Sequence, residues 1–320
     1  MDLPYHSDAP AKLYAFLLKL RPLQAGTLMP FSGELVHGAW LHWLREVAPD
    51  IAAWLHNENK RRLFTCSSLQ FPVPALRMRE AERDNVHLPL DPEKTYTVRI
   101  TLLLGELFPL FYNALMHFKM SELMARKQPF MRIGKQIFSL EEVIMNNDDS
   151  SGWTGFTSLN ALVEKAKTQK LGATESLTLE FASLTTVNRS NTRTKGYGEH
   201  HARLPLPQYI FPGLARRWEE LAPPELVGVV QKDRIEQYIQ DDGVIIVDYE
   251  LKTHHVRFTT HQQPGFVGMC KYHLRGGSYE ETTPGFPLTV RQQILLLAQL
   301  AFYCGVGYKT SMGMGQARLV

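Results

Sequence analysis

Histidine moves protons most readily near neutral pH, because its unperturbed pKa is about 6.5. The chain has twelve histidines. His37 and His42 stand five residues apart in SGELVHGAWLHWLREV, and His56 precedes the basic run Lys60, Arg61, Arg62 in LHNENKRRLFT. A positioned histidine can take or give a proton in a transition state, and a nearby cation can hold the negative charge that develops there. The plainer reading of the same residues is polar loop and solvated surface charge. Zinc suits them poorly, since two histidines sharing a helix face need positions i and i+4. Cys66, Cys270 and Cys304 are scattered with no CxxC pair, so neither a disulfide framework nor a cysteine-held zinc is expected.

A second chemistry-bearing stretch closes the chain: CGVGYKTSMGMGQARLV, from Cys304 to Val320. Its glycines, Gly305, Gly307, Gly313 and Gly315, invite a phosphate-loop reading. A P-loop needs GxxxxGK[ST] followed by a helix. Here Lys309-Thr310 follows Tyr308 rather than glycine, a helical pattern precedes the loop, and only Gln316 to Val320 follow it. The dinucleotide fingerprint fails for the same reason. Glycines before an edge strand supply positive φ in a turn. Two GxG pairs around YKTSM go further, leaving backbone N–H groups and Lys309 to meet a polyanion.

The elements that must position these residues follow from periodicity. KLYAFLLKL (12–20) and TYTVRITLLL (95–104) read as strands. Between them, Ser32 is an N-cap candidate for a helix whose apolar face holds Val36, Ala39, Trp40, Trp43, Leu44 and Val47. His42 faces away from that stripe and His37 lies at its edge, so neither reads as a core histidine. A second helix begins near Pro109, and PFMRIGKQIFSLEEVIM is extended. NNDDSSGWTG breaks the composition. A short helix, SLNALVEKAKTQK, follows it, and the domain boundary is placed near Leu171. The second half repeats the order: strand SLTLEFAS, helix PQYIFPGLARRWEEL, strands GVIIVDYELKTHHVRF and GFVGMCKYHLRG, helix VRQQILLLAQLAFYCG and strand ARLV. The expected fold is α+β: two tandem ferredoxin-like (RRM-like, βαββαβ) domains, residues 1–170 and 171–320, the second carrying the glycine loop.

Composition agrees with this. The 320 residues are 44% hydrophobic and 21% charged, enough for two cores, and the formal charge of +3 permits a local nucleic-acid surface without demanding one. MDLPYHSDAP lacks the pattern of a signal peptide, and the apolar runs are too short to span a bilayer. A cytoplasmic protein away from membranes is expected.

The closing stretch resembles the CRISPR-associated endoribonucleases that cut repeat RNA into guide RNAs, members of the RAMP superfamily. They end in GxGxxxxxGxG between the last helix and last strand of a C-terminal ferredoxin-like domain. Gly305-Val-Gly307, the spacer YKTSM and Gly313-Met-Gly315 match that form. ELVHGAWLHWL, IAAWLHNENKRRLFTCS and GFVGMCKYHLRG agree in order along nearly the whole chain. The resemblance implies metal-independent cleavage without a cofactor: the ribose 2′-OH attacks its own phosphate, giving a 2′,3′-cyclic phosphate and a 5′-OH. By the same resemblance His56 is the first-choice catalytic histidine, with Arg62 the matched cation and Lys60 or Arg61 in reserve. Some members carry a tyrosine on the first helix where this chain has Leu41, so His42 or His37 is left to supply the second proton transfer.

Arg189, Arg193, Lys195 and Arg203 stud NRSNTRTKGYGEHHAR, a natural phosphate-contact loop. Strand alternation sets Lys271, His273 and Arg275 on one face, as in sheet-based RNA binders. In the glycine loop, Lys309 would add charge and Tyr308 stacking. The expected partners are CRISPR repeat RNA and, beyond it, an effector complex or a second copy of the chain. The competing class is a noncatalytic RNA-holding subunit of such a complex on the same fold.

Overall fold

The computed structural model describes residues 12–56, 62–125, 130–146, 151–172, 174–188, 201–276 and 287–320. They fall into two compact units. One comprises residues 1–156, 256–262 and 311–313; the other comprises 157–255, 263–310 and 314–320.

The first unit is built on β1 (Lys12–Pro22), α1 (Gly33–Val47), α2 (Pro49–His56), β2 (Phe64–Cys66), β3 (Tyr96–Leu102), α3 (Leu107–Ala125), β4 (Phe130–Ile133) and β5 (Gln136–Ile144). Its sheet runs β2-β3-β1-β5-β4. The apolar β1 is central, paired antiparallel with β3 (Phe16↔Ile100, Leu18↔Val98) and with β5 across a bulge at Lys19/Leu20. A first strand flanked by the third and last strands of the β-α-β-β-α-β series is ferredoxin-like. The extended stretch from Phe130 is a β4–β5 hairpin, turned at Gly134 with φ 61°.

Helix α1 lies over this sheet through its aromatic face. Trp40 and Trp43 are buried, with Trp40 centred 5.6 Å from Phe111 of α3, which in turn stacks on Phe16 of β1 at 4.3 Å. Truncating either tryptophan would cost about 3–5 kcal/mol. Ser32 does precede α1, yet its hydroxyl makes no cap. It accepts from the Leu69 N–H at 2.9 Å, while the Ser32 N–H donates to Ser68 Oγ at 3.2 Å. The start of α1 is thereby tied to the stretch after β2.

The second unit contains α4 (Leu159–Thr168), β6 (Thr174–Thr185), α5 (Pro207–Leu221), α6 (Lys232–Gln240), β7 (Val244–Arg257), β8 (Gln262–Arg275), α7 (Val290–Cys304) and β9 (Ala317–Leu319). Its sheet runs β7-β8-β6-β9, the same order of roles. Helix α4, placed before the boundary in the sequence reading, packs on α7 inside this unit; the first continuous stretch of the first unit runs to Phe156. A capping box starts α7: Thr289 Oγ1 accepts from the Gln292 N–H, and Gln292 Oε1 accepts from the Thr289 N–H. Gly305, at φ 68°, ends it. The fold is α+β with two ferredoxin-like domains. Among the described residues, no helix is long and apolar enough to cross a membrane.

Candidate active site

Three parts of the first unit, α1, β2 and residues 311–313, converge at His37. Its helix is fixed by the tryptophans, and its ring stacks on Phe64 of β2, with centroids 5.4 Å apart and planes 24° from parallel. Nδ1 lies 2.9 Å from the main-chain oxygen of Ser311. The same oxygen accepts from the Cys66 thiol at 3.1 Å, and the Gly313 N–H donates back to the Cys66 carbonyl at 3.1 Å. The apex of the glycine loop, Ser311 to Gly313, thus sits against β2 and the start of α1. Gly33 makes room for it: a Cβ there would lie 2.2 Å from the Met312 carbonyl oxygen.

This geometry corrects the edge position expected for His37. It is only 6% exposed, because Phe64 and the turn of the loop at Ser311 cover the side of α1 that the helical wheel leaves polar. A carbonyl can only accept, so His37 Nδ1 carries the hydrogen and the neutral ring keeps its lone pair on Nε2. Burial pushes the His37 pKa below the ordinary value; the bond to Ser311 opposes this, and the positive charges of Arg62 and His56 push it further down. Glu34, one turn earlier on α1, pulls it back up. The result is a neutral imidazole with a fixed tautomer and an acceptor nitrogen. Burial also raises the Cys66 thiol well above its ordinary range, so it remains a donor rather than a nucleophile.

His56 and Arg62 therefore share His37's electrostatic neighbourhood. His56 is exposed at the C-terminal end of α2. Arg62 folds back on that end, donating to the carbonyls of Leu55 and His56, the latter at 2.8 Å. This caps orphan carbonyls at the negative end of the helix dipole, a structural job alongside any catalytic one. His42 is exposed and, five residues on, points about 140° away from His37 around α1. The structure does not bring it to His37. Lys60, Arg61, Arg189, Arg193 and Lys195 lie outside the described residues.

All four loop glycines have positive φ: 68° at Gly305, 85° at Gly307, 88° at Gly313 and 70° at Gly315. A Cβ on Gly307 would meet the Thr186 carbonyl oxygen at 2.1 Å, and one on Gly315 the Val306 carbonyl oxygen at 2.1 Å. The expectation that these amides wait for phosphate needs correction. Gly305 N–H donates to Ala301, Val306 to Gly315, Tyr308 to Thr186 and Gly315 to Leu184, all at 2.8–2.9 Å. The glycines let the loop fold on itself, and the side chains are what it presents. Tyr308 is 39% exposed, with the Lys309 ammonium 5.5 Å from its ring centre and the His201 ring 6.1 Å away. Lys309 itself sits at φ 56°. On β8, Lys271 and Arg275 are exposed and His273 half-buried, with Cys270, Tyr272 and Leu274 buried between them, as alternation required.

Sequence reasoning missed Phe64, Cys66 and the Ser311 carbonyl. The bond from His37 to Ser311 spans 274 residues, and neither segment carries a mark of the other.

Together these features define an α+β protein of two ferredoxin-like domains with a histidine locked to a C-terminal glycine loop. Residues 179–317 match the family described as CRISPR-associated endoribonuclease Cas6. Among solved structures, a Cas6 product complex is 23% identical, with 97% of this chain and 100% of that one covered and a TM-score of 0.70. Thermus thermophilus Cas6 is 24% identical, over 98% and 100%, at 0.62. A RAMP protein binding different RNA substrates is 14% identical, over 96% and 99%, at 0.55. Comparison with curated proteins finds no match. The resemblance carried by the glycine loop holds: its segment has the Cas6 sequence pattern, and the whole chain has the fold of Cas6 structures.

Proposed function

We propose that this protein is a metal-independent endoribonuclease that cuts CRISPR repeat RNA. The observation that carries the proposal is His37, kept neutral by burial and held in one tautomer by the loop whose segment matches the family model. In the reaction, His37 Nε2 takes the proton of the ribose 2′-OH as that oxygen bonds to the adjacent phosphorus. The P–O5′ bond breaks, and His56 in its protonated form gives its proton to the leaving oxygen. The products are a 2′,3′-cyclic phosphate and a 5′-OH. Each positioned proton transfer is worth roughly 10²–10⁴-fold. Arg62 stands near enough to His37 for its charge to be felt, and supplies the positive field for the transition state. Tyr308 and Lys309 offer stacking and charge, and Lys271 and Arg275 a basic sheet face, for the RNA. The cut RNA passes to an effector complex in the cytoplasm.

A second reading, an RNA-holding subunit without catalysis, is favoured by one fact: the 6% exposure of His37 leaves little of its ring open to substrate. Incubation of the repeat RNA with the protein in EDTA separates the two. A single cut with a cyclic phosphate end supports the endonuclease, and binding without a cut supports the subunit.

A further inference from the structure

The first unit contains an open cavity of about 450 Å³ that the reaction above does not use. It lies where the strand before α1, the start of α1, the end of the helix Ala75–Asp84 and residues Arg257–Thr259 meet. We infer that it binds one unpaired nucleotide of the RNA, next to the bond that is cut. This rests on the reading of the substrate as RNA.

The walls are apolar: Phe31, Leu35 and Phe258, the last 4% exposed and packed edge-on against Phe31 at 5.0 Å. Met29 adds to these walls, and the rest of the lining is polar, with groups of the kind that read a base edge. Asn85, at φ 54°, closes the preceding helix and brings an amide that both donates and accepts. His87 is exposed and engages Thr27 Oγ1 through Nδ1 at 3.3 Å, so Nε2 is the nitrogen directed to other partners. Arg257 is exposed and carries the fixed positive charge that a phosphate needs. Apolar walls with a few convergent polar groups, in a volume within roughly 300–1,000 Å³, make a small-ligand site. Sequence-specific RNA recognition works on such splayed-out bases, stacked against rings and hydrogen-bonded at their edges.

The position ties the cavity to the cut. Glu34 lines it and accepts from both the Thr259 N–H, at 3.0 Å, and the Thr259 hydroxyl, at 2.8 Å, fixing the Arg257–Thr259 wall on α1. Glu34 precedes His37 by three residues, about 4.5 Å along the helix axis. A nucleotide seated there is a near neighbour of the phosphate at His37, and its ordering would position the attacking ribose.

The test is binding by fluorescence anisotropy in EDTA, with cleavage followed in parallel, on repeat RNAs carrying an abasic riboside at each position around the cut. One position is expected to weaken wild-type binding at least about fivefold. His87→Ala, at an exposed site, should weaken binding of intact RNA by a similar factor and add nothing on the RNA lacking that base, whereas Arg257→Ala, which removes a phosphate contact, should weaken both RNAs. Absence of a sensitive position, or equal loss by His87→Ala on intact and abasic RNA, overturns the pocket even if cleavage is intact. The expected pattern without any cleavage keeps the pocket and overturns the endonuclease. No binding of any RNA overturns both.

Discussion

His37 and Ser311 are joined by a 2.9 Å hydrogen bond that spans 274 residues of sequence. It makes the glycine-loop apex the orienting partner of a histidine whose tautomer it fixes.

The pH profile of cleavage should show it. His37 must be neutral to accept a proton, and burial lowers its pKa. The acid limb of log kcat/KM is therefore expected below about 6.5, the ordinary histidine value. The same shift links to stability: above about 6.5 both states hold His37 neutral, and as pH falls toward the lowered folded value the unfolded chain binds the proton first. Thermal stability should decline over that window, and less so in His37→Gln.

Arg62 gives a test with a definite sign. Its positive charge depresses His37, so Arg62→Ala should move the acid limb to higher pH. Loss of the bonds to the Leu55 and His56 carbonyls should also cost about 0.3–1 kcal/mol, measured by urea unfolding. A purely structural role would change stability and leave the limb where it was.

Gly33 and Gly313 face each other where the loop meets α1. Gly33→Ala would drive a methyl into the Met312 carbonyl, and Gly313→Ala would place a side chain at φ 88°, 2.9 Å from Ser68 Oγ. Each is expected to destabilise by about 1–3 kcal/mol and to reduce cleavage with His37 still present. Calorimetry and cleavage rates on the same samples check this.

Lys309 stands at φ 56°, a conformation glycine adopts freely. Lys309→Gly thus removes the charge without strain. RNA binding should weaken, and the slope of log Kobs against log salt should fall by about 0.7 to 1. Tyr308→Ala should cost about 1–3 kcal/mol of binding with the salt slope unchanged.

Much of this was legible in the sequence. Alternation and helical period placed β1, α1, β3, β6, β8 and α7, and the glycine spacing placed the loop before the last strand. His37 was misjudged because a helical wheel counts only its own helix. The ring is covered by Phe64 and by a loop from the other end of the chain, which periodicity cannot see. The loop amides were misjudged for a related reason: glycine spacing shows that the backbone can bend, while its acceptors, the Thr186, Leu184 and Ala301 carbonyls, exist only in the fold. Helix α2 has little more than two turns and little apolar period, so LHNENKRR read as loop, although His56 ends a helix. The nucleotide-sized cavity joins residues near 30, 86 and 258 and left no mark in any single segment.

The measurement that bears most directly on the central claim is cleavage of the repeat RNA by His37→Ala beside His56→Ala, with binding followed in parallel. The account predicts that His37→Ala slows cleavage at least about 100-fold while the RNA remains bound, with a smaller loss in His56→Ala. Wild-type cleavage rates in His37→Ala would contradict it.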